Sequence, residues 1–488
     1  MKLNQANISK ISERVPCPSY DRKSVKNGIV HIGVGGFHRS HEAYYIHQLL
    51  NKKESSDWAI CGVGLREADR KLGNALKNQD GLYTLVVQHP DGKVDSEVIG
   101  SITKYLLAAD GPQLVIDKMA NPDTKIVSLT ITEGGYNFNP ATGEFDFNNP
   151  DILHDLSNPE QPKSVYGYLM AALRKRMNEG LPAFTLLSCD NIQHNGDMLR
   201  KMLLAFAQKQ DLKTANWIAK GVSFPNSMVD RITPVTSPAV TKYLKDTHEI
   251  VDECSVVCEP FIQWVIEDNF SNGRPALEEL GVQFVEDVTP YETMKIRLLN
   301  AGHSVLGITG AIHGHPTIDV CMQDTVFSTF MRKYMDEEVT PILGEIHGVK
   351  IEDYKDILAE RFANPNIKDS VSRICSESSA KLPKFLIPTL KENLKNGGSI
   401  KYATFILAAW CYYSDKGMNE KGEALEIIDV QKEELHQAAK NTEEDWTAFL
   451  NQEEIFDNLN KNEEFVKEYS SIVQTIYKEQ NIRKLMQS

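Results

Sequence analysis

Residues 28–45, GIVHIGVGGFHRSHEAYY, run from an apolar strand through three glycines in four positions straight into a helix. Few folds accept that order. A strand that turns tightly into a helix opens a β-α unit, and such a unit closes by laying a second strand parallel to the first. Gly33, Gly35 and Gly36 supply the tight turn, and a helix start offers backbone N–H groups to a phosphate. His38 stands where the usual dinucleotide fingerprint has a third glycine, so the match is imperfect. A merely tight connection is the alternative. The order of strand, glycines and helix favours a pyrophosphate loop over Ile32, Gly33, Val34, Gly35, Gly36 and Phe37.

Short apolar runs and helical stretches continue to alternate up to about residue 290: HEAYYIHQLL, WAICGVGL, KIVSLTITE, AFTLLSCDN. This pattern predicts a parallel, doubly wound, Rossmann-like α/β sheet. Beyond it the pattern is mainly helical, as in MKIRLLNAGHSVLGITGAI and IKYATFILAAWCYYS. The polar stretch EDNFSNGRPALEEL and the DVTP after it place the junction, dividing the chain into residues 1–287 and an α-helical part, 288–488.

A chain of 488 residues, 41% hydrophobic and 25% charged, has the size for two domains. Its net charge of −14 argues against general nucleic-acid binding, which needs a lysine and arginine surplus. No apolar run reaches the roughly 18 residues that span a bilayer, no secretory leader is evident in the first twenty residues, and KLMQS matches no simple retention address. A cytoplasmic protein without membrane contact is expected. The eight cysteines are scattered without CxxC pairs, which fits buried thiols rather than a disulfide framework.

In an open α/β sheet ligands lie beyond the carboxyl ends of the strands, which directs attention to polar residues there. WAICGVGL ends in READR, where Glu67 or Asp69 would accept the ribose hydroxyls of NAD, while Arg66 and Arg70 would suit NADP instead. KIVSLTITEGGY delivers Glu133, and AFTLLSCDNIQHNG delivers Asp190 and Asn191. Asx turns are the commoner use of Asp and Asn at such places. FPNSMVDRITP reads as a proline-bounded loop whose Asp230 and Arg231 form a solvated pair.

TPYETMKIRLLNAGH, residues 289–303, reads as a helix start: Thr289 at the cap, Pro290 at the first position and Glu292 closing a capping box. With Lys295 at zero, Glu292, His303 and Asn300 fall at about 60°, 80° and 140° on a uniform α-helix, all on one side. Gly302 would leave room for close approach. Alone, this face is an amphipathic edge whose lysine and histidine snorkel. A zinc site is a rival reading, through His313 and His315 as HxH or His38 and His41. Yet GAIHGHPT reads as a helix exit with no third ligand evident, so no metal is expected.

Taken together, GVGGFHRSH, TITEGGY, SCDNIQHNG, FPNSMVDRITP and KIRLLNAGH resemble the polyol-specific long-chain dehydrogenases, in order over about residues 28–390. IQHNG after SCDN resembles the branch acting on mannitol rather than fructuronate. The resemblance implies NAD-linked, metal-independent oxidation of D-mannitol to D-fructose, with NADP the lesser alternative. It makes Lys295 the catalytic lysine, Asn191 and Asn300 paired amides, and His303 a substrate-hydroxyl contact. Asp230, Arg373 and Lys381 would line the polyol site, and Glu133 and Glu292 would surround the lysine as proton-relay candidates. Arabinitol, sorbitol and uronate substrates stay open, as does a non-catalytic NAD-binding sensor. A monomer is expected, with an oligomer left open. The segment beyond about 400 carries no matching motif.

Overall fold

The computed structural model describes residues 1–52, 55–139 and 142–487. It divides into two compact units, Met1–His89 with Lys93–Thr289, and Pro290–Ser488 with Pro90–Gly92.

The first unit is built on a five-stranded, all-parallel sheet. Its strands are β1 (Ile29–Ile32), β2 (Ile60–Gly64), β5 (Ile102–Leu107), β6 (Ile126–Leu129) and β7 (Thr185–Ser188), in the order β5-β2-β1-β6-β7. Every residue of β1, β2, β6 and β7 is buried, which is why these segments read as continuous apolar runs rather than alternating ones. Alternate side chains still separate. Val30, Ile32, Val127 and Leu129 pack with Met119, Leu169 and Phe206 on one face, whereas Ile29, Ile60 and Ile126 pack with Ile46 and Leu49 on the other. Helices thus cover both faces, and the strand order turns around at β1 and β6. Two three-stranded sheets complete the unit: β3 (Tyr83–Gln88) between β4 (Val94–Ile99) and β9 (Val256–Cys258), and β10 (Gln263–Glu267) between β8 (Ser227–Asp230) and β11 (Gln283–Val285).

The second unit is helical throughout its named elements. Its axis is the helix Ala301–His313, buried from Ala301 to Ile312. Glycine makes that burial possible. A Cβ on Gly307 would lie 2.7 Å from Ile374 Cγ2, and one on Gly310 2.5 Å from Cys321 Sγ. The helix Lys401–Lys416 packs against this axis and against Glu463–Glu479, so the segment beyond 400 closes the core around it. No described helix is long and apolar enough to cross a membrane. All eight cysteines are free, and all but the half-buried Cys17 are buried.

Candidate functional site

The turn after β1 needs glycine at one position and leaves backbone bare at two others. Gly33 has φ +92°, and a Cβ there would sit 2.1 Å from the carbonyl oxygen of Thr130 at the end of β6. The turn after β1 therefore lies directly against the segment after β6, at the point where ligands collect in doubly wound sheets. A Cβ on Gly35 or Gly36 would meet nothing closer than 3.8 and 3.7 Å. Beside Gly36 opens a cleft of about 880 Å³, lined also by Phe37, Ala68, Lys71, Leu72 and Thr236, a volume suited to a nucleotide. Ala68, Lys71 and Leu72 follow β2, so the cleft runs from the glycines toward the READR segment.

At that segment both acids have protein partners. Arg70 grips Glu67 with two N–H groups, at 2.5 and 2.9 Å, and this pairing holds the Glu67 carboxyl below its usual range. Asp69 accepts the Arg66 backbone N–H at 2.9 Å and so caps its own turn.

Beneath the glycine turn is a buried polar cluster that the sequence did not announce. His31 of β1 bonds Ser128 at 2.8 Å, Thr130 at 2.9 Å and Glu42 at 2.9 Å. His38 stacks on His31 with ring centroids 3.5 Å apart, and burial with the neighbouring His31 holds its pKa well below the ordinary value. The residue in the third glycine's place thus turns a flat ring into the interior, where it packs helix to strand.

Glu133 is exposed in a short helix, Thr132–Gly135, after β6, and Asn191 is exposed just after β7. Asp190 joins these two ends. Its carboxylate accepts the Ile131 and Thr132 N–H groups at 3.1 and 2.8 Å and the Tyr136 hydroxyl at 2.9 Å. Burial raises its pKa against these hydrogen bonds, which pull the other way. Asp190 therefore orients the loop carrying Glu133 from the residue preceding Asn191. The reading of Asp230 and Arg231 as a solvated loop pair is overturned. Asp230 ends β8, paired with Gln263 of β10, and both residues are buried, with Arg231 donating to the Ser40 and Glu259 carbonyls at 2.6 and 3.1 Å.

In the second unit, Lys295, Asn300 and His303 lie along one continuous helix, but not a uniform one. Thr289–Met294 is α, Lys295–Asn300 is a π-helical segment, and α geometry resumes at Ala301. A π turn advances fewer degrees per residue than an α turn, so azimuths counted at a uniform 100° do not carry across it. The start differs too: Thr289 is already inside the helix, and Asp287 accepts its backbone N–H at 2.8 Å. Lys295 is 6% exposed, Glu292 3% and His303 9%. The His303 ring lies 4.0 Å from that of Phe362. The space expected at Gly302 is filled by protein, since a Cβ there would lie 2.8 Å from the Met335 methyl.

Lys381 and Arg373 are neighbours in this unit. Lys381 donates to the Ile374 carbonyl at 3.1 Å, and burial followed by Arg373 lowers its pKa. Arg373 is largely exposed and paired with Asp369 at 2.7 Å.

Two family models cover the chain: the mannitol dehydrogenase Rossmann domain over residues 27–279 and the mannitol dehydrogenase C-terminal domain over 287–477. This chain belongs to the mannitol dehydrogenase family. Among its relatives are mannitol dehydrogenase 2 of Saccharomyces cerevisiae, 45% identical over 97% of this chain and 95% of that one, and mannitol 2-dehydrogenase of Neosartorya fischeri, 46% identical over 98% and 97%. The structure of Pseudomonas fluorescens mannitol 2-dehydrogenase in ternary complex with NAD and D-mannitol matches with TM-score 0.88 and 45% identity, over 100% of this chain and 99% of that one. A substrate-free D-sorbitol dehydrogenase matches with TM-score 0.93 and 36% identity over the whole of both chains. Against this mannitol dehydrogenase frame, sequence reasoning missed Lys71 and Leu72 in the cleft, Asp190 as an organiser and the His31–His38–Glu42 cluster. Only Asp190 left a signal, as a carboxylate placed immediately after a buried strand.

Proposed function

We propose that this protein oxidises D-mannitol to D-fructose with NAD, and runs the reverse reduction, without a catalytic metal. The observation that carries this reading is the 45% identity, over essentially the full chain, to the Pseudomonas enzyme whose structure holds NAD and D-mannitol.

The residues present fit the dinucleotide. Gly35 and Gly36 offer bare backbone, the adjacent cleft has a nucleotide's volume, and Glu67 stands after β2, where an acid disfavours a ribose phosphate. When bound, NAD takes up the hydride from the alcohol carbon. The chain's own task is the proton. We assign Lys295 as the base that removes it from the reacting hydroxyl. That role demands a neutral amine, a demand that desolvation of a lysine helps to meet, and Lys295 is 6% exposed. Asn191 and Asn300 are assigned as amide donors to the developing alkoxide, where removing one such donor typically costs about 2.7–4 kcal/mol. Neutral donors serve both directions. His303 binds a neighbouring hydroxyl, Asp230, Arg373 and Lys381 read the remaining ones, and Glu133 and Glu292 pass the proton between Lys295 and water.

The likeness to D-sorbitol dehydrogenase supports a second reading in which sorbitol is the polyol and the chemistry is unchanged. Both are tested by absorbance at the NADH band, with chelator present, across mannitol, sorbitol, arabinitol, fructose and fructuronate and with both NAD(H) and NADP(H). Mannitol with NAD should give the highest kcat/KM. A higher value with sorbitol selects the second reading, and activity that vanishes with chelator and returns with a metal removes the lysine mechanism.

A further inference from the structure

We propose that the end of the helix Ala301–His313 forms a binding site for one divalent transition-metal cation, with His313, His315 and Asp324 as ligands. The sequence shows an HxH pair without a partner; the fold supplies it. The helix ends at His313, Gly314 turns the chain with φ +86°, and Asp324 at the start of the next-but-one helix, Thr325–Tyr334, comes alongside. One ligand atom from each of His313, His315 and Asp324 lies within 4.8 Å of the others.

Three details favour an ion over a plain polar cluster. First, His315 Nε2 is buried and, among the described residues, has no hydrogen-bond partner. Second, it stands 3.7 Å from Asp324 Oδ2, too far for a hydrogen bond but near the ~3.3–3.5 Å between two ligands of a tetrahedral ion with 2.0–2.2 Å bonds. Third, His313 Nδ1 lies 2.8 Å from Glu420 Oε2. A carboxylate on one ring nitrogen fixes the tautomer and leaves the other nitrogen to bind metal, the usual support of a ligating histidine.

Arg483 holds both Asp324 oxygens, at 2.7 and 3.2 Å, and the Val326 N–H caps Oδ1 at 3.0 Å, which keeps the carboxylate oriented and leaves Oδ2, the oxygen facing His315, a second lone pair. Lys421 caps the Gly314 carbonyl at 2.8 Å. Two imidazoles with one carboxylate select Zn²⁺, Co²⁺ or Ni²⁺ over Mg²⁺ or Ca²⁺, which prefer all-oxygen shells. The site lies ten residues beyond His303, roughly 15 Å along the helix axis, so the ion has no part in hydride transfer. It would pin the end of the helix that carries the family's lysine, asparagine and histidine.

The test is titration of the full, chelator-treated chain with CoCl₂, read by the visible bands of tetrahedral Co²⁺, and with ZnCl₂, read by the melting temperature. One equivalent should bind and raise the melting temperature. His315→Gln should abolish the Co²⁺ bands, and Glu420→Gln should weaken binding about 10–100-fold, the effect expected of a supporting carboxylate. Both variants should keep the wild-type rate of polyol oxidation, which reports that they fold. Absence of a stoichiometric ion in the wild type, or unchanged Co²⁺ bands in folded His315→Gln, would overturn the proposal; the second result would move the ion to His31, His38 and Glu42.

Discussion

Replacing Gly33 and Gly36 by alanine separates what the glycine turn does for the fold from what it does for the cofactor. At Gly33 an alanine must adopt φ +92°, which costs an L-residue about 1–3 kcal/mol. Its Cβ would also lie 2.1 Å from Thr130 O, so the two segments must part by about 1 Å or more to restore an ordinary contact. That movement stretches the hydrogen bonds from Gly33 N–H to Val63 O (3.0 Å) and from Thr130 Oγ1 to Gly33 O (2.7 Å), each worth about 1 kcal/mol. The sum is about 3–5 kcal/mol. In a unit of this size 1 kcal/mol shifts Tm by about 2–4 °C, so Gly33→Ala should melt roughly 6–20 °C below wild type. Gly36→Ala meets only Thr233 Cγ2 at 3.7 Å and should keep its Tm. Its methyl, however, occupies the bare face offered to the pyrophosphate, and NADH should bind at least tenfold more weakly, about 1.4 kcal/mol. Thermal melts and NADH fluorescence titrations measure both. A Gly33→Ala melt within about 2 °C of wild type, or unchanged NADH affinity in Gly36→Ala, would refute the argument.

Lys295→Ala should lower kcat for polyol oxidation by about 10²–10⁴-fold while the Kd for NADH stays put, and full turnover at alkaline pH in that variant would remove Lys295 as the base. Glu338 gives the second unit a pH dependence of definite sign. Burial pushes its carboxyl up from 4.5 to about 7, against the lowering effect of the Ala403 and Tyr402 N–H groups at 2.9 and 2.6 Å. Between those values the folded chain holds a proton that the unfolded chain has lost, so stability falls as pH rises from about 4.5 to about 7, by up to about 3 kcal/mol. Tm measured across that range should fall for wild type and lose this slope in Glu338→Ala; an equal slope in the variant would show that another group is responsible.

How much of this was legible in the sequence depended on how local the cause was. The parallel sheet was legible because burial on both faces leaves unbroken apolar runs such as IVHI and ICGVG, and because the positive φ that calls for glycine at Gly33 belongs to one turn; its close approach to Thr130 was not legible. The READR acids were legible as a strand end. Their engagement by Arg70 and by the turn's own backbone was not, since salt-bridge choice depends on which side chains face one another. Asp230 and Arg231 looked like solvated loop residues because no local pattern reveals that β10 pairs with SMVD and that the Ser40 carbonyl lies within reach. Asp324 was invisible as a partner of HxH for the same reason: the eight residues of turn and short helix between them decide whether it returns to His315.

The π-helical segment at Lys295 shows the same limit, and also how such a feature is held. A π turn misaligns backbone hydrogen bonds, and its displaced carbonyls need other donors. The Tyr334 hydroxyl approaches the Arg297 carbonyl at 3.4 Å, and the Ser304 hydroxyl donates to Asn300 at 3.2 Å. A second π segment, Met335–Val339, is held alike: the Thr340 hydroxyl takes the Met335 carbonyl at 2.7 Å and the Asn393 amide takes that of Glu338 at 2.9 Å. Met335 in turn fills the space over Gly302 on the first helix. The donor Tyr334 stands 37 positions from Arg297, so no window over residues 289–303 contains the information that makes the helix widen there. A helical wheel drawn from that window gives Lys295, Asn300 and His303 the wrong angles. The spacing of Lys295, Asn300 and His303 is set by tertiary packing, and that is where substitutions altering turnover without touching these three residues are to be sought.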